Sequence, residues 1–138
     1  MNNLYEQDFY QWTIQQANLL KAGALSQLDI GNLIEEVESM GRSEKRELVN
    51  RLTVLITHLL KWDCQPERRG RSWELTIREQ RLRLSKHLKN NPSLKPVLEE
   101  CIADAFELAV VKTMKETGFS EPTFPESCPY TIEQIMGE

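Results

Sequence analysis

The chain has 138 residues, of which 40% are hydrophobic and 28% charged, and its formal net charge is −4. This length supports one hydrophobic core, and the composition excludes collagen-like, low-complexity and largely disordered chains. No apolar run approaches the ~20 residues of a membrane span, and the start, MNNLYEQDFY, has neither a basic leader nor an apolar export segment. We therefore predict one cytoplasmic domain over residues 1–138, without membrane contact and with reduced cysteines.

Apolar residues recur every three or four positions, and no stretch alternates between apolar and polar, so an all-α fold is predicted. The first helix runs from about Glu6 to Ala22. The second begins after the N-cap Asp29 and ends at Gly41. These two helices have predicted buried faces at Phe9, Trp12, Leu19 and Leu20, and at Ile30, Leu33, Ile34, Val37 and Met40.

The third helix, capped by Ser43, is predicted to be the central core helix, because it repeats leucines at core spacing. A fourth helix follows, capped by Ser72, and its two apolar sides indicate burial between neighbours or a dimer contact. A fifth helix spans residues 94–117. The proline-containing tail is predicted to be an extended wrap, followed by a short last helix that begins with a Thr131–Gln134 capping box. The expected architecture is a compact bundle of about five main helices.

Charge is divided along the chain: residues 42–96 hold 14 basic and 6 acidic side chains, whereas both flanking regions are acidic. The most distinctive segment reads KWDCQPERRGRSWELTIREQRLR. Arginine matches phosphate and carboxylate groups bidentately and stacks on aromatic rings, so this segment is a candidate binding site. The predicted binding residues are Lys61, Trp62, Arg68, Arg69, Arg71, Trp73 and Arg78. The alternative is structural: the tryptophans lie at core spacing, and the arginines decorate a turn or bond helix carbonyls.

The acidic cluster Glu35, Glu36 and Glu38 has two interpretations. One is an ion pair between a flanking carboxylate of the helix and an arginine such as Arg81. The other is a metal-assisted hydrolase or nuclease, with Glu35 or Glu38 and His58 as ligands or base. Neither histidine of the chain has a histidine or cysteine at the i+3 or i+4 spacing of a zinc site. We therefore predict no metal ligand set and no cofactor.

Several strings of the sequence, in order along nearly the whole chain, resemble the bacterial family known as domain of unknown function 29. They are LYEQDFYQW, LDIGNLIEEVESMGRSEKRELVNRL, HLLKWDCQPERRGRSWELTIREQR, NPSLKP and FPESCPYTIEQIM. The resemblance implies a compact all-α single domain, and no biochemical activity comes with it. It does not distinguish a binding site from a structural motif.

The predicted function is a non-enzymatic helical module that binds an acidic or phosphate-bearing partner through the basic, Trp/Arg-rich segment. A protein partner is expected first, with nucleic acid as the second class and self-association through the fourth helix as a further prediction. The hydrolase or nuclease described above is the alternative. A binding role is preferred because no complete catalytic constellation is present.

Overall fold

Six α-helices account for most of residues 4–138, the part of the chain that the computed structural model describes. They are α1 (Leu4–Gln7), α2 (Phe9–Lys21), α3 (Ile30–Cys64), α4 (Arg71–Asn90), α5 (Leu98–Thr117) and α6 (Ile132–Met136). No β-strand occurs in this range, which confirms the all-α prediction. The chain falls into two compact units, the first ending at Ser43 and the second beginning at Glu44. The single domain over residues 1–138 stays a prediction.

The second and third predicted helices are one helix, α3, so the predicted stop at Gly41 and cap at Ser43 are wrong. A glycine inside a helix costs about 1 kcal/mol, and good helix formers around it offset that cost. Arg42 adds contacts that span the glycine, since its guanidinium lies 2.9 Å from Glu35 Oε1 and 3.9 Å from Glu38 Oε2. The four long helices of the structure therefore replace the predicted five.

The first unit is organised around Trp12 and Asp29. Trp12 is buried, and its Nε1 donates to Asp29 Oδ2 at 3.0 Å. Asn32 donates to the same oxygen at 2.8 Å, and the Asp29 backbone N–H donates to Gln16 Oε1. The hydrogen bonds from Asn32 and Trp12 lower the pKa of Asp29. This network stabilises the entry into α3.

Most of the apolar positions predicted to be buried in this unit are exposed. They comprise Phe9, Leu20, Ile30, Ile34, Val37 and Met40, each about half exposed or more. Helical periodicity marks a face as apolar, but it does not show that another element covers that face.

The second unit holds the hydrophobic core, and α3 supplies its centre. Leu48, Leu52 and Leu55 are fully buried there, as predicted from their spacing. The same core includes Leu84 of α4 and Phe106 of α5. The central role of this part of α3 is confirmed.

The ends of α4, α5 and α6 agree in part with the caps and breaks predicted from the sequence. α4 begins one residue before the predicted cap Ser72, and α5 begins at Leu98 after a 3-10 turn over Pro92–Val97. Gly118 ends α5 in the left-handed conformation, with φ 78°. The tail is largely non-helical up to the Thr131–Gln134 capping box, which is present as predicted. Phe124 anchors this tail in the core.

Candidate functional site

The predicted binding residues lie around the connection between α3 and α4, within the second unit. The buried Gln65 follows the last residue of α3, and a 3-10 turn over Pro66–Arg68 then leads to the N-terminus of α4. The proline starts the 3-10 turn, where its missing N–H needs no partner. This compact connection places the cations of the turn beside those of the two helices.

Two of the cations make internal contacts that stabilise the fold. Lys61 is only 15% exposed; its Nζ lies 3.1 Å from Glu116 Oε2 and 5.1 Å from the centre of the Trp73 ring. The Nε of Arg69 donates to the Trp62 carbonyl at 2.7 Å, and its guanidinium lies 5.2 Å from the centre of the Trp62 ring. Arg69 therefore satisfies a carbonyl in the last turn of α3, where no intrahelical partner is available.

The other three arginines, Arg68, Arg71 and Arg78, are exposed. Within residues 4–138, none of their guanidinium groups makes an ion pair or a hydrogen bond, and the nearby Glu79 pairs instead with Arg83 at 3.4 Å. The predicted set of binding residues is therefore divided. Lys61 contacts Trp73 and Arg69 contacts Trp62, whereas these three cations face solvent. Their role in binding stays a prediction.

Arg71 and Arg78 share one face of α4 with Leu75 and Leu82, and we call these four residues the Arg–Leu stripe. Positions separated by four, three and four residues fall on one side of a helix. Leu75 is 46% exposed and Leu82 55% exposed. A shallow groove of about 490 Å³ is lined by Leu75, Thr76, Arg78, Glu79 and Leu82. The second apolar side of α4 is therefore open, and the predicted burial of this side between neighbouring helices is wrong.

Arg81 has a structural role different from the one predicted. Its Nε donates to the Ile135 carbonyl and its Nη2 to the Gln134 carbonyl, both at 2.9 Å. These are free carbonyls at the C-terminal end of α6, where a cation is favourable. The carboxylates of Glu35 and Glu38 contact Arg42. In place of the predicted ion pair, Glu35 and Glu38 contact Arg42 of the same helix, and Arg81 binds carbonyls of α6.

Every side chain of the proposed hydrolase site has another partner. The Nδ1 of His58 donates to the Val54 carbonyl at 2.9 Å, one turn earlier in α3. Glu35 and Glu38 contact Arg42 in the first unit, and Glu36 is half-buried there. Burial also raises the pKa of Cys64, which keeps that thiol protonated and weakly nucleophilic. Nothing in the geometry of the described residues supports a catalytic use of Glu35, Glu38 and His58.

The structure brings together one histidine–carboxylate cluster that the sequence analysis missed. His87 of α4 is buried, and its Nδ1 lies 3.4 Å from Glu47 Oε2 and 3.7 Å from Glu44 Oε2. Its Nε2 lies 2.9 Å from the Glu44 carbonyl oxygen. Arg51 donates to the other carboxylate oxygen of Glu47 and lowers the pKa of that carboxyl. The sequence shows that Glu44 and Glu47 lie three positions apart on one helix. It does not show that His87, which is 40 or more positions further along the chain, packs beside them.

The chain belongs to the family described as domain of unknown function DUF29, whose model matches residues 4–138. No curated protein and no solved structure matches the chain. Among the described residues, none of the helices combines the length and the apolar character needed to cross a bilayer.

Proposed function

We propose that this member of the DUF29 family is a non-enzymatic binding module, and that its Arg–Leu stripe binds an acidic amphipathic helix of a protein partner. One observation carries the proposal: Arg71 and Arg78 are exposed beside exposed leucines, and no described carboxylate pairs with either arginine. Unpaired cations next to exposed apolar groups offer a partner both charge complementarity and apolar contact.

The spacing of the stripe defines the complementary surface. Arg71 and Arg78 are seven residues apart, and so are Leu75 and Leu82, which places each pair about 10 Å apart along the helix axis. A partner helix packed along α4 would carry apolar residues about seven positions apart, which contact Leu75 and Leu82. It would carry carboxylates at the same spacing, which pair with Arg71 and Arg78. Helices that bind in this way use anchors at i, i+3 or i+4 and i+7. The expected partner segment is therefore a helix with one acidic and one apolar stripe.

An acidic protein fits this face better than a nucleic acid does. Binding of single-stranded nucleic acid relies on aromatic rings that are free to stack on bases. Here Lys61 lies over the Trp73 ring and Arg69 over the Trp62 ring, and both tryptophans are half-buried. The exposed apolar groups beside Arg71 and Arg78 are leucines, which bind apolar side chains rather than bases. A second copy of this chain is disfavoured, since two copies of the stripe would bring four arginines into one interface and supply no carboxylate from either stripe.

The test is a titration of the full chain with a synthetic helix that carries leucines seven residues apart and glutamates beside them. Backbone NMR shifts should concentrate on residues 71–82. The double variant Arg71→Glu/Arg78→Glu should lose more than about tenfold in affinity, because buried arginine anchors commonly contribute about 2 kcal/mol or more. The matched control is Arg46→Glu/Lys95→Glu, which changes the net charge equally at two exposed positions outside α4, in α3 and in the 3-10 turn before α5.

Three outcomes would contradict the proposal. An equal loss of affinity for the peptide in the control variant and in the stripe variant would indicate non-specific charge attraction. A single-stranded oligonucleotide binding more tightly than the peptide, with affinity falling steeply with salt, would identify a nucleic-acid site. A concentration-dependent dimer that Leu82→Ala dissociates would assign the stripe to self-association.

A further inference from the structure

The nitrogen that His87 turns towards Glu44 and Glu47 is identified by its other contact. The Nε2 atom lies 2.9 Å from the Glu44 carbonyl, which only accepts hydrogen bonds. Nε2 therefore carries a proton and donates it. In the neutral ring the remaining nitrogen, Nδ1, then presents its lone pair to the two carboxylates. Three electron-rich atoms that face one another repel, and a cation between them would remove that repulsion.

The distances distinguish the two cations that can fill this role, a proton and a metal ion. A charge-assisted N–H···O bond measures about 2.7–2.9 Å. The separations here, 3.4 Å to Glu47 and 3.7 Å to Glu44, are longer. Two ligand atoms that each lie about 2.1 Å from a tetrahedral metal are about 3.4 Å apart. The two separations from Nδ1 therefore match shared metal coordination better than a shared proton.

The surroundings of the cluster also resemble a metal site. Histidine ligands usually donate their second ring N–H to a carbonyl or carboxylate, which fixes the orientation of the ring. His87 does so through the Glu44 carbonyl. Glu47 is held through its other oxygen by Arg51, at 2.7 Å and 3.0 Å. Glu44 is 48% exposed, so its carboxylate can rotate to bring the three ligand atoms, now within 4.8 Å of one another, around one ion.

We propose that Glu44, Glu47 and His87 bind one divalent first-row transition metal ion such as Zn²⁺. The imidazole nitrogen favours this class of ion over Mg²⁺ or Ca²⁺, which prefer oxygen ligands alone. Three protein ligands leave a fourth position for water on the exposed Glu44 side. Because Glu44 and Glu47 belong to α3 and His87 to α4, the ion would join the two helices. This inference is independent of the Arg–Leu stripe.

The experiment uses the full chain freed of metal with a chelator and then titrated with Zn²⁺ alone. Nitrogen NMR of the two histidine rings should show Zn²⁺ shifting the Nδ1 resonance of His87, while Nε2 keeps its proton. His58→Gln assigns the signals and should bind Zn²⁺ unchanged. Calorimetry should show one ion per chain. The affinity for Zn²⁺ should fall about 100-fold or more in Glu44→Gln, because replacing a residue that only hydrogen-bonds a metal ligand already lowers metal affinity about 10–100-fold.

Glu44→Gln keeps the backbone carbonyl that binds His87, and its side chain is partly exposed, so this variant tests ligation without removing a buried group. The control is Glu99→Gln, an exposed glutamate in the first turn of α5. If Glu44→Gln and Glu47→Gln both bound Zn²⁺ as tightly as the unaltered chain does, the ion would lie elsewhere, on the thiols for example. A His87 Nδ1 resonance that responds to pH but not to Zn²⁺ would identify a proton-only pair. Either result overturns the proposal.

Discussion

Replacing Leu52 with alanine should lower the free energy of unfolding of the second unit by about 2–5 kcal/mol. Leu52 lies in the middle of the core segment of α3 and is fully buried among side chains of α3, α4 and α5. Removing three carbon atoms there loses their transfer free energy and leaves a cavity that rigid helices fill incompletely. Urea unfolding followed by circular dichroism measures the change.

Leu82→Ala is the matched control, because it is the same chemical change at a side chain that is 55% exposed. Its effect on the free energy of unfolding should stay within about 0.5 kcal/mol. The affinity for the acidic helix should fall, since Leu82 belongs to the Arg–Leu stripe. Equal destabilisation by the two substitutions would mean that the outer face of α4 is covered, which would contradict the description of the stripe.

Replacing Arg81 with alanine should cost about 1.5–3 kcal/mol, the range of hydrogen bonds made by charged groups. Its guanidinium donates to the carbonyls of Gln134 and Ile135, which have no other partner at the end of α6. A helix of five residues does not persist without tertiary contacts. Amide hydrogen exchange should therefore accelerate over residues 132–138 before the rest of the unit unfolds.

Arg78→Ala is the corresponding control, three residues away on the same helix. Arg78 is exposed and has no described partner, so its removal should change the free energy of unfolding by less than about 0.5 kcal/mol. The protection of α6 should be unchanged. Unaltered amide exchange of residues 132–138 in Arg81→Ala would show that the hydrogen bonds from Arg81 do not stabilise α6.

Sequence patterns predicted the features that depend on local or periodic information. The leucine repeat identified the core face of α3, and a capping box located the start of α6. Prediction of the break near Gly41 was wrong, because a single glycine is a weak stop signal and Arg42 forms ion pairs across it. Whether a glycine ends a helix therefore depends on the residues on either side of it, whose helix propensity and ion pairs can offset its cost.

Contacts between distant parts of the chain could not be read from the sequence. Arg69 and Arg81 differ from Arg71 and Arg78 only in what the fold places beside them. The carbonyls that accept from Arg81 lie more than 50 positions further along the chain. The same limit hid the cluster around His87. Charge counts can identify a basic segment, but only tertiary structure separates its structural cations from those left for a partner.

The central claim is this division of the arginines, and solvent exchange of their Nε–H protons tests it most directly. Arg69 and Arg81 donate Nε–H bonds to the Trp62 and Ile135 carbonyls, so their protons should exchange slowly in ¹⁵N NMR spectra. The Nε–H protons of Arg68, Arg71 and Arg78 should exchange rapidly, as in an unstructured peptide. Slow exchange at Arg71 and Arg78 in the free protein would show that internal partners occupy them, which would contradict the claim.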